Sequence, residues 1–149
     1  MTDPARSAQM ARIRAKDTKP EMRVRRFLHA AGLRFRLHDR SLPGTPDLVF
    51  PSRRHAVTVR GCFWHQHPDP GCKLCRMPKS RLDFWRPKLK GNRARDVRQE
   101  AELAALGWHL HVVWECQVRD GGRLAALAAA IRAAPVTGRP NRGKLPARP

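Results

Sequence analysis

Residues 55–67 read His55-Ala56-Val57-Thr58-Val59-Arg60-Gly61-Cys62-Phe63-Trp64-His65-Gln66-His67. The first half is an apolar segment that reads as a strand. At Gly61 the pattern stops, and metal-binding side chains, two large aromatics and a candidate acid/base crowd into one short loop. That mixture directly behind a strand, a few residues after Pro46-Asp47, points to chemistry on a large polyanion.

Working outward from this stretch gives the rest of the chain. Asp47-Leu48-Val49-Phe50 is a second strand, joined to the first through Pro51-Ser52-Arg53-Arg54, and Leu42-Pro43-Gly44-Thr45-Pro46 is a turn cluster. Phe35 and Leu37 alternate with Arg34, Arg36 and His38, which predicts a half-buried strand. Before it, Thr18-Lys19-Pro20-Glu21 has the form of a capping box with proline just inside. Val24, Phe27, Leu28 and Ala31 follow at helical spacing up to Gly32. Downstream, Gly61 to Pro78 is rich in Cys, His, Pro and Gly and has no core of its own. The pattern predicts a helix from about Ala94 to Leu106, with Val97, Ala101 and Ala104 on one stripe and Gly107 as its stop. Trp108, Leu110, Val112 and Trp114 mark a further strand, and Leu124, Leu127, Ala128 and Ile131 a last helix. The order helix, three strands, metal loop, helix, strand, helix is that of a small α/β fold on a mixed sheet. The expected domains are an arm at 1–17, a body at 18–134 with its loop at 61–78, and a basic tail at 135–149, disordered without a partner.

Composition selects the polyanion. Lys and Arg number 31 against 12 Asp and Glu, for a formal net charge of +19. Such a protein gains affinity for phosphate backbones by releasing their counterions, so nucleic acid is the expected partner. The basic residues are spread along the chain and do not form one amphipathic helix, which argues against a membrane surface. No apolar run approaches spanning length, and Met1 to Arg6 lacks the apolar core of a secretory signal, so a cytoplasmic, nucleoid-associated protein is expected. Charge alone does not separate an enzyme from a packing protein.

Four cysteines in a reducing compartment read as thiolate ligands and not as disulfides. Cys62, His67, Cys72 and Cys116 make a set of three thiolates and one imidazole, of the kind that closes a tetrahedral structural Zn²⁺ site. Two alternatives stay open on spacing alone. Cys75 forms a C-x-x-C pair with Cys72 and competes with it, and His65 competes with His67.

At Pro46-Asp47, Gly61 to His65, Asp83-Phe84-Trp85, Asn92-Arg93-Ala94-Arg95-Asp96 and Gly107-Trp108 through Val113-Trp114-Glu115-Cys116, the chain resembles the very-short-patch-repair (Vsr-type) DNA mismatch endonucleases. The likeness is collinear from about Met10 to Arg119. It implies a restriction-endonuclease-like sandwich with helices on both faces of a mixed central sheet, a structural zinc, and Mg²⁺-dependent nicking of one strand of double-stranded DNA beside a T:G mismatch. Such nicking starts repair of deaminated 5-methylcytosine. The resemblance also implies a monomer, with other mismatch-repair proteins as further partners.

Carried over position by position, Asp47 matches the family's Mg²⁺-binding aspartate, and a carboxylate at a strand edge suits that ion. His65 matches the family's general acid/base, and Cys62 and His67 match its zinc-ligand pair, which leaves His65 free. Glu21 matches a glutamate that supports metal-bound waters, although its place in the capping box already explains it. Phe63, Trp64 and Trp85 match aromatics that wedge into the base stack from one groove, and Met10 a residue that enters from the other. Lys88 and Asn92 are candidate donors to base edges.

The chain departs from the family pattern twice. Val59 stands where a threonine commonly offers its backbone carbonyl to Mg²⁺; valine keeps the carbonyl and loses the hydroxyl. Arg60 stands where a second histidine can occur, which suits charge neutralisation and not proton transfer. Two other readings compete with the mismatch nickase: an endonuclease of the same fold with another mismatch or sequence trigger, and a non-catalytic, zinc-stapled DNA-binding protein. Asp47 together with His65 argues against the last, because a mere binder gains nothing from a carboxylate aimed at phosphates.

Overall fold

The computed structural model describes residues 17–136. Met10, the arm up to residue 16 and the tail from 137 lie outside them.

Helix α1 runs Lys19–Ala30, and Thr18 Oγ1 accepts the Glu21 N–H at 3.3 Å, as its capping residues predict. The box does not close on Thr18 itself, since Glu21 Oε1 takes the N–H of Asp17 at 3.0 Å. Strands β1 (Arg36–Leu37), β2 (Leu48–Phe50), β3 (His55–Arg60) and β4 (His109–Trp114) form one sheet in that spatial order. The first two pairings are antiparallel and β3–β4 is parallel. A parallel pair needs a long crossover. Here the crossover carries the Cys/His loop and α2 (Leu82–Ala105), and β4 leads on to α3 (Gly121–Ala133).

Alternation along the strands splits the core in two. Leu48, Phe50, Val57 and Val113 meet Val24 and Leu28 of α1 and Leu124, Leu127 and Ile131 of α3 on one face. Val49 and Ala56 meet Leu42 and Leu103 of α2 on the other. The four apolar residues marked in the sequence for α3 are the ones that it buries. No helix of the described residues is long and apolar enough to cross a membrane.

Two elements differ from the sequence reading. The first strand keeps only Arg36–Leu37, and Leu37 is 40% exposed on the rim of a cavity; Phe35 packs against the core from just outside the strand. Helix α2 begins 12 residues earlier than Ala94 and contains Pro87. Its stripe Val97, Ala101 and Ala104 faces outward, with Val97 61% exposed, while Leu89, Asp96 and Leu103 are buried. The inward face of α2 lines a polar cavity, so a search for apolar periodicity selects the wrong side of the helix.

At the opposite end of the sheet, His55 Nδ1 lies 2.8 Å from His111 Nε2, and the His109 ring stacks on His55 at 4.7 Å. Burial, then the charges of His109, His55 and Arg123, pushes His111 down to about 4 from 6.5. A depressed histidine is neutral in the fold and protonates more readily in the unfolded chain, so stability is lost as pH falls from about 6.5 through about 4. His111→Asn should therefore flatten the acid limb of the melting curve. The expected difference in melting temperature between variant and wild type changes by about 3–5 °C over that window. Parallel pH profiles would argue against this account.

Candidate active site and metal loop

A cavity of about 1070 Å³ opens between β1, β2, β3, the Cys/His loop and α2, and Asp47, Val59, His65 and Asp96 all line it. Asp47 sits one residue before β2. Its Oδ2 accepts the Val59 N–H at 2.7 Å and its backbone carbonyl accepts the His38 N–H at 3.0 Å, so both its main chain and its carboxylate are fixed. Burial raises Asp47 from 3.8 to about 7; the Val59 N–H and His38 oppose the rise, and the charge and hydrogen bond of Glu21 reinforce it. Two carboxylates thus share one partly dry site.

Glu21 is 2% exposed and fully engaged. His38 Nε2 lies 2.7 Å from its Oε2, Arg25 Nη1 donates at 3.3 Å, and Arg25 also holds Asp17 at 2.8 Å. Glu21 Oε1 thus holds the cap of its own helix while Oε2 meets His38, which lines the cavity. His38 was not among the residues singled out from the sequence. It occupies a left-handed backbone conformation (φ 49°), uncommon for a residue with a side chain, and this places its ring over Glu21.

On the other side of the cavity, His65 Nδ1 lies 2.7 Å from Asp96 Oδ2. With Nδ1 facing a carboxylate, Nε2 is the nitrogen left for other partners, which is how a carboxylate fixes an acid/base histidine. Asp96 is the second residue that sequence reasoning passed over; it lies in the quoted Asn92-to-Asp96 run, on the polar face of α2. Arg60 Nε is 4.0 Å from Asp96 and its Nη1 donates to Glu100 at 2.7 Å, with the guanidinium over the Trp114 ring at 5.9 Å. Arg60 is therefore tied into the wall beneath His65.

The loop that follows brings Cys62, His67, Cys72 and Cys116 together, one ligand atom of each within 4.8 Å of the others. Cys75 is not in the group. Cys62 and His67 are buried, the His67 ring stacks on Trp114 at 4.4 Å, and His67 Nδ1 lies 3.4 Å from Cys116 Sγ. Burial pushes the Cys62 thiol up to about 12. Leu74 and Met77 are exposed, so beyond Phe63 and Trp64 no large apolar side chain of the loop packs inward, and the cluster gathers its far end. Three sulfurs and one imidazole at such distances can hold a tetrahedral ion such as zinc.

Phe63, Trp64 and Trp85 are half-buried and pack on one another with ring centroids 5.2–5.8 Å apart. Phe84, beside them, is 46% exposed. Asn92 Nδ2 donates to the Trp64 carbonyl at 3.1 Å, tying the loop to α2, and Lys88 is exposed on the same helix.

The family model described as DNA mismatch endonuclease Vsr matches residues 1–70. A "Type II nicking enzyme V.XorIIP" of Xanthomonas oryzae pv. oryzae is 57% identical over 117 residues, which span 78% of this chain and 84% of that protein. The "DNA mismatch endonuclease Vsr" of Escherichia coli is 41% identical over 119 residues, 80% of this chain and 74% of its own length. A "Type II nicking enzyme V.NmeAIP" of Neisseria meningitidis is 40% identical over 119 residues, covering 80% and 83%. The chain belongs to the Vsr family of DNA mismatch endonucleases.

Proposed function

We propose that this protein nicks one strand of duplex DNA beside a T:G mismatch and so starts repair of deaminated 5-methylcytosine, on a restriction-endonuclease-like fold with a structural Zn²⁺ and a catalytic Mg²⁺. The observation that carries the proposal is that Asp47 and His65 line one cavity, each held by its own partner: the Val59 N–H for one, Asp96 for the other.

Asp47 and the Val59 carbonyl are the groups that would hold Mg²⁺. Within an extended strand a residue's N–H and C=O point to the same side, so the bond from Val59 N–H to Asp47 supports a carbonyl on that side too. Bound there, Mg²⁺ would polarise the scissile phosphate and acidify a water. His65 moves the proton at Nε2, Asp96 keeps its ring in register, and Glu21 with His38 orients solvent beside Asp47. Cys62, His67, Cys72 and Cys116 would take the zinc. The aromatic set Phe63, Trp64 and Trp85 would open the stack at the mispair, where unstacking is cheapest, with Met10 from the opposite groove. Lys88 and Asn92 would contact DNA, the latter after releasing the Trp64 carbonyl. The protein would work as a monomer in the cytoplasm on nucleoid DNA, alongside other mismatch-repair proteins.

A nicking assay on matched and T:G-containing duplexes, with and without Mg²⁺, tests this directly. Cleavage is expected only of one strand, only of the mismatched duplex and only with the ion; equal cutting of both duplexes would replace the mismatch trigger by another. His65→Ala should lose about 10²-fold or more in rate. Asp96→Asn should lose less and shift the acid limb of the pH–rate profile, whereas an unchanged profile would reduce Asp96 to packing.

A further inference from the structure

We propose that the groove between α1 and the start of α3 is a docking site for an acidic, apolar-anchored segment of a partner protein. The groove encloses about 790 Å³, within the range of cavities that bury ligand side chains. Lys19, Arg23 and Arg26 line it from α1, at the spacing of four and three that puts side chains on one helix face, and Arg119 lines it from the turn before α3. None of the four makes a hydrogen bond or ion pair with another described residue, and all are exposed. Among the described residues of the lining the single acidic one, Asp17, is already held by Arg25 at 2.8 Å. Between the cations the floor is apolar, formed by Met22, Phe27 and Leu124.

This combination selects the occupant. Phosphates would be held by the cations and gain nothing from an apolar floor, whereas an amphipathic acidic segment uses both at once. The chain's own ends have the wrong charge: Arg6, Arg12, Arg14 and Lys16 against Asp3 in one, and Arg139, Arg142, Lys144 and Arg148 in the other. An occupant with complementary charge must therefore come from another protein.

The test uses the full chain and a fluorescein-labelled synthetic helix with Leu at positions i, i+3, i+4 and i+7 and Glu elsewhere, read by anisotropy. Arg23→Ala with Arg26→Ala should weaken binding about tenfold or more, and Met22→Gln severalfold, while Lys90→Ala with Arg98→Ala on α2 stays within about twofold. A peptide with Leu replaced by Ser should bind wild type as weakly as the double variant does. The proposal is overturned if the α2 pair weakens binding as much, if the Ser peptide binds equally well, or if the α1 pair costs matched duplex DNA as much as it costs the peptide, which would make the groove a DNA-backbone surface. Nicking of the T:G duplex is expected to survive the α1 substitutions, which checks their folding. A wild type that does not nick would sink the proposed reaction and leave the peptide result standing.

Discussion

Replacing Asp47 by Asn should abolish DNA cleavage and, without divalent ions, raise the melting temperature. The first effect follows from losing the carboxylate that would hold Mg²⁺. The second follows from the sign of its pKa shift. A carboxyl raised to about 7 in the fold, from 3.8, binds its proton more tightly there than in the unfolded chain. The stabilisation this gives is fully present below about pH 3.8 and is lost as pH rises through about 7, where the buried site must accept a second negative charge beside Glu21. Asparagine has the shape of the neutral acid and carries no such cost.

A shift of that size corresponds to at most about 4 kcal/mol, and solvent screening of a half-buried group reduces it, so a gain of about 1–3 kcal/mol, or a few degrees, is expected near neutral pH. Calorimetry of both proteins in Mg²⁺-free buffer, with no chelator to disturb the thiol cluster, measures it. The gain should vanish in acid, and Mg²⁺ should stabilise wild type and not the variant. A less stable Asp47→Asn protein would mean that the carboxylate is at ease where it lies, and a variant that still cuts would remove the metal site. Trading stability for a strained acidic pair is what an active site does.

The second large effect concerns the thiol cluster. If the cluster holds zinc as proposed, Cys116→Ser should release it and lower the melting temperature by about 10 °C or more, because Cys116 follows β4 and would be the ligand that ties the loop to the sheet. Cys75→Ser should leave one zinc per chain and the melting curve unchanged. Elemental analysis of protein purified without chelator decides both. No zinc in wild type, or loss of zinc with Cys75→Ser alone, would overturn the assignment. Since zinc would bind the thiolates and protons compete with it for them, retention should also fail in acid.

Much of this was legible in the residues. Thr18 and Glu21 announced α1, and the stripe of α3 named its own core. The Cys/His quartet showed itself as a loop with no core of its own, although only the fold could choose Cys72 over Cys75, because a C-x-x-C spacing offers both. Helix α2 was half hidden, since Pro87 breaks its pattern and its inward face is polar. Asp96 was hidden for the same reason: a buried carboxylate on a helix looks like solvated charge until His65 is placed against it from 31 residues away. His38 left no mark beyond one alternating polar position, because what brings it to Glu21 is a backbone turn and not a side-chain pattern.

His65 stands between two members of the Cys/His cluster, three residues after Cys62 and two before His67. Opening the cluster, whether by a chelator or by oxidation of its thiols, would therefore be expected to unmoor the imidazole from Asp96. On the proposed function, the enzyme would then fail by falling silent and not by cutting at random. For a protein that breaks genomic strands, that is the safer way to wear out.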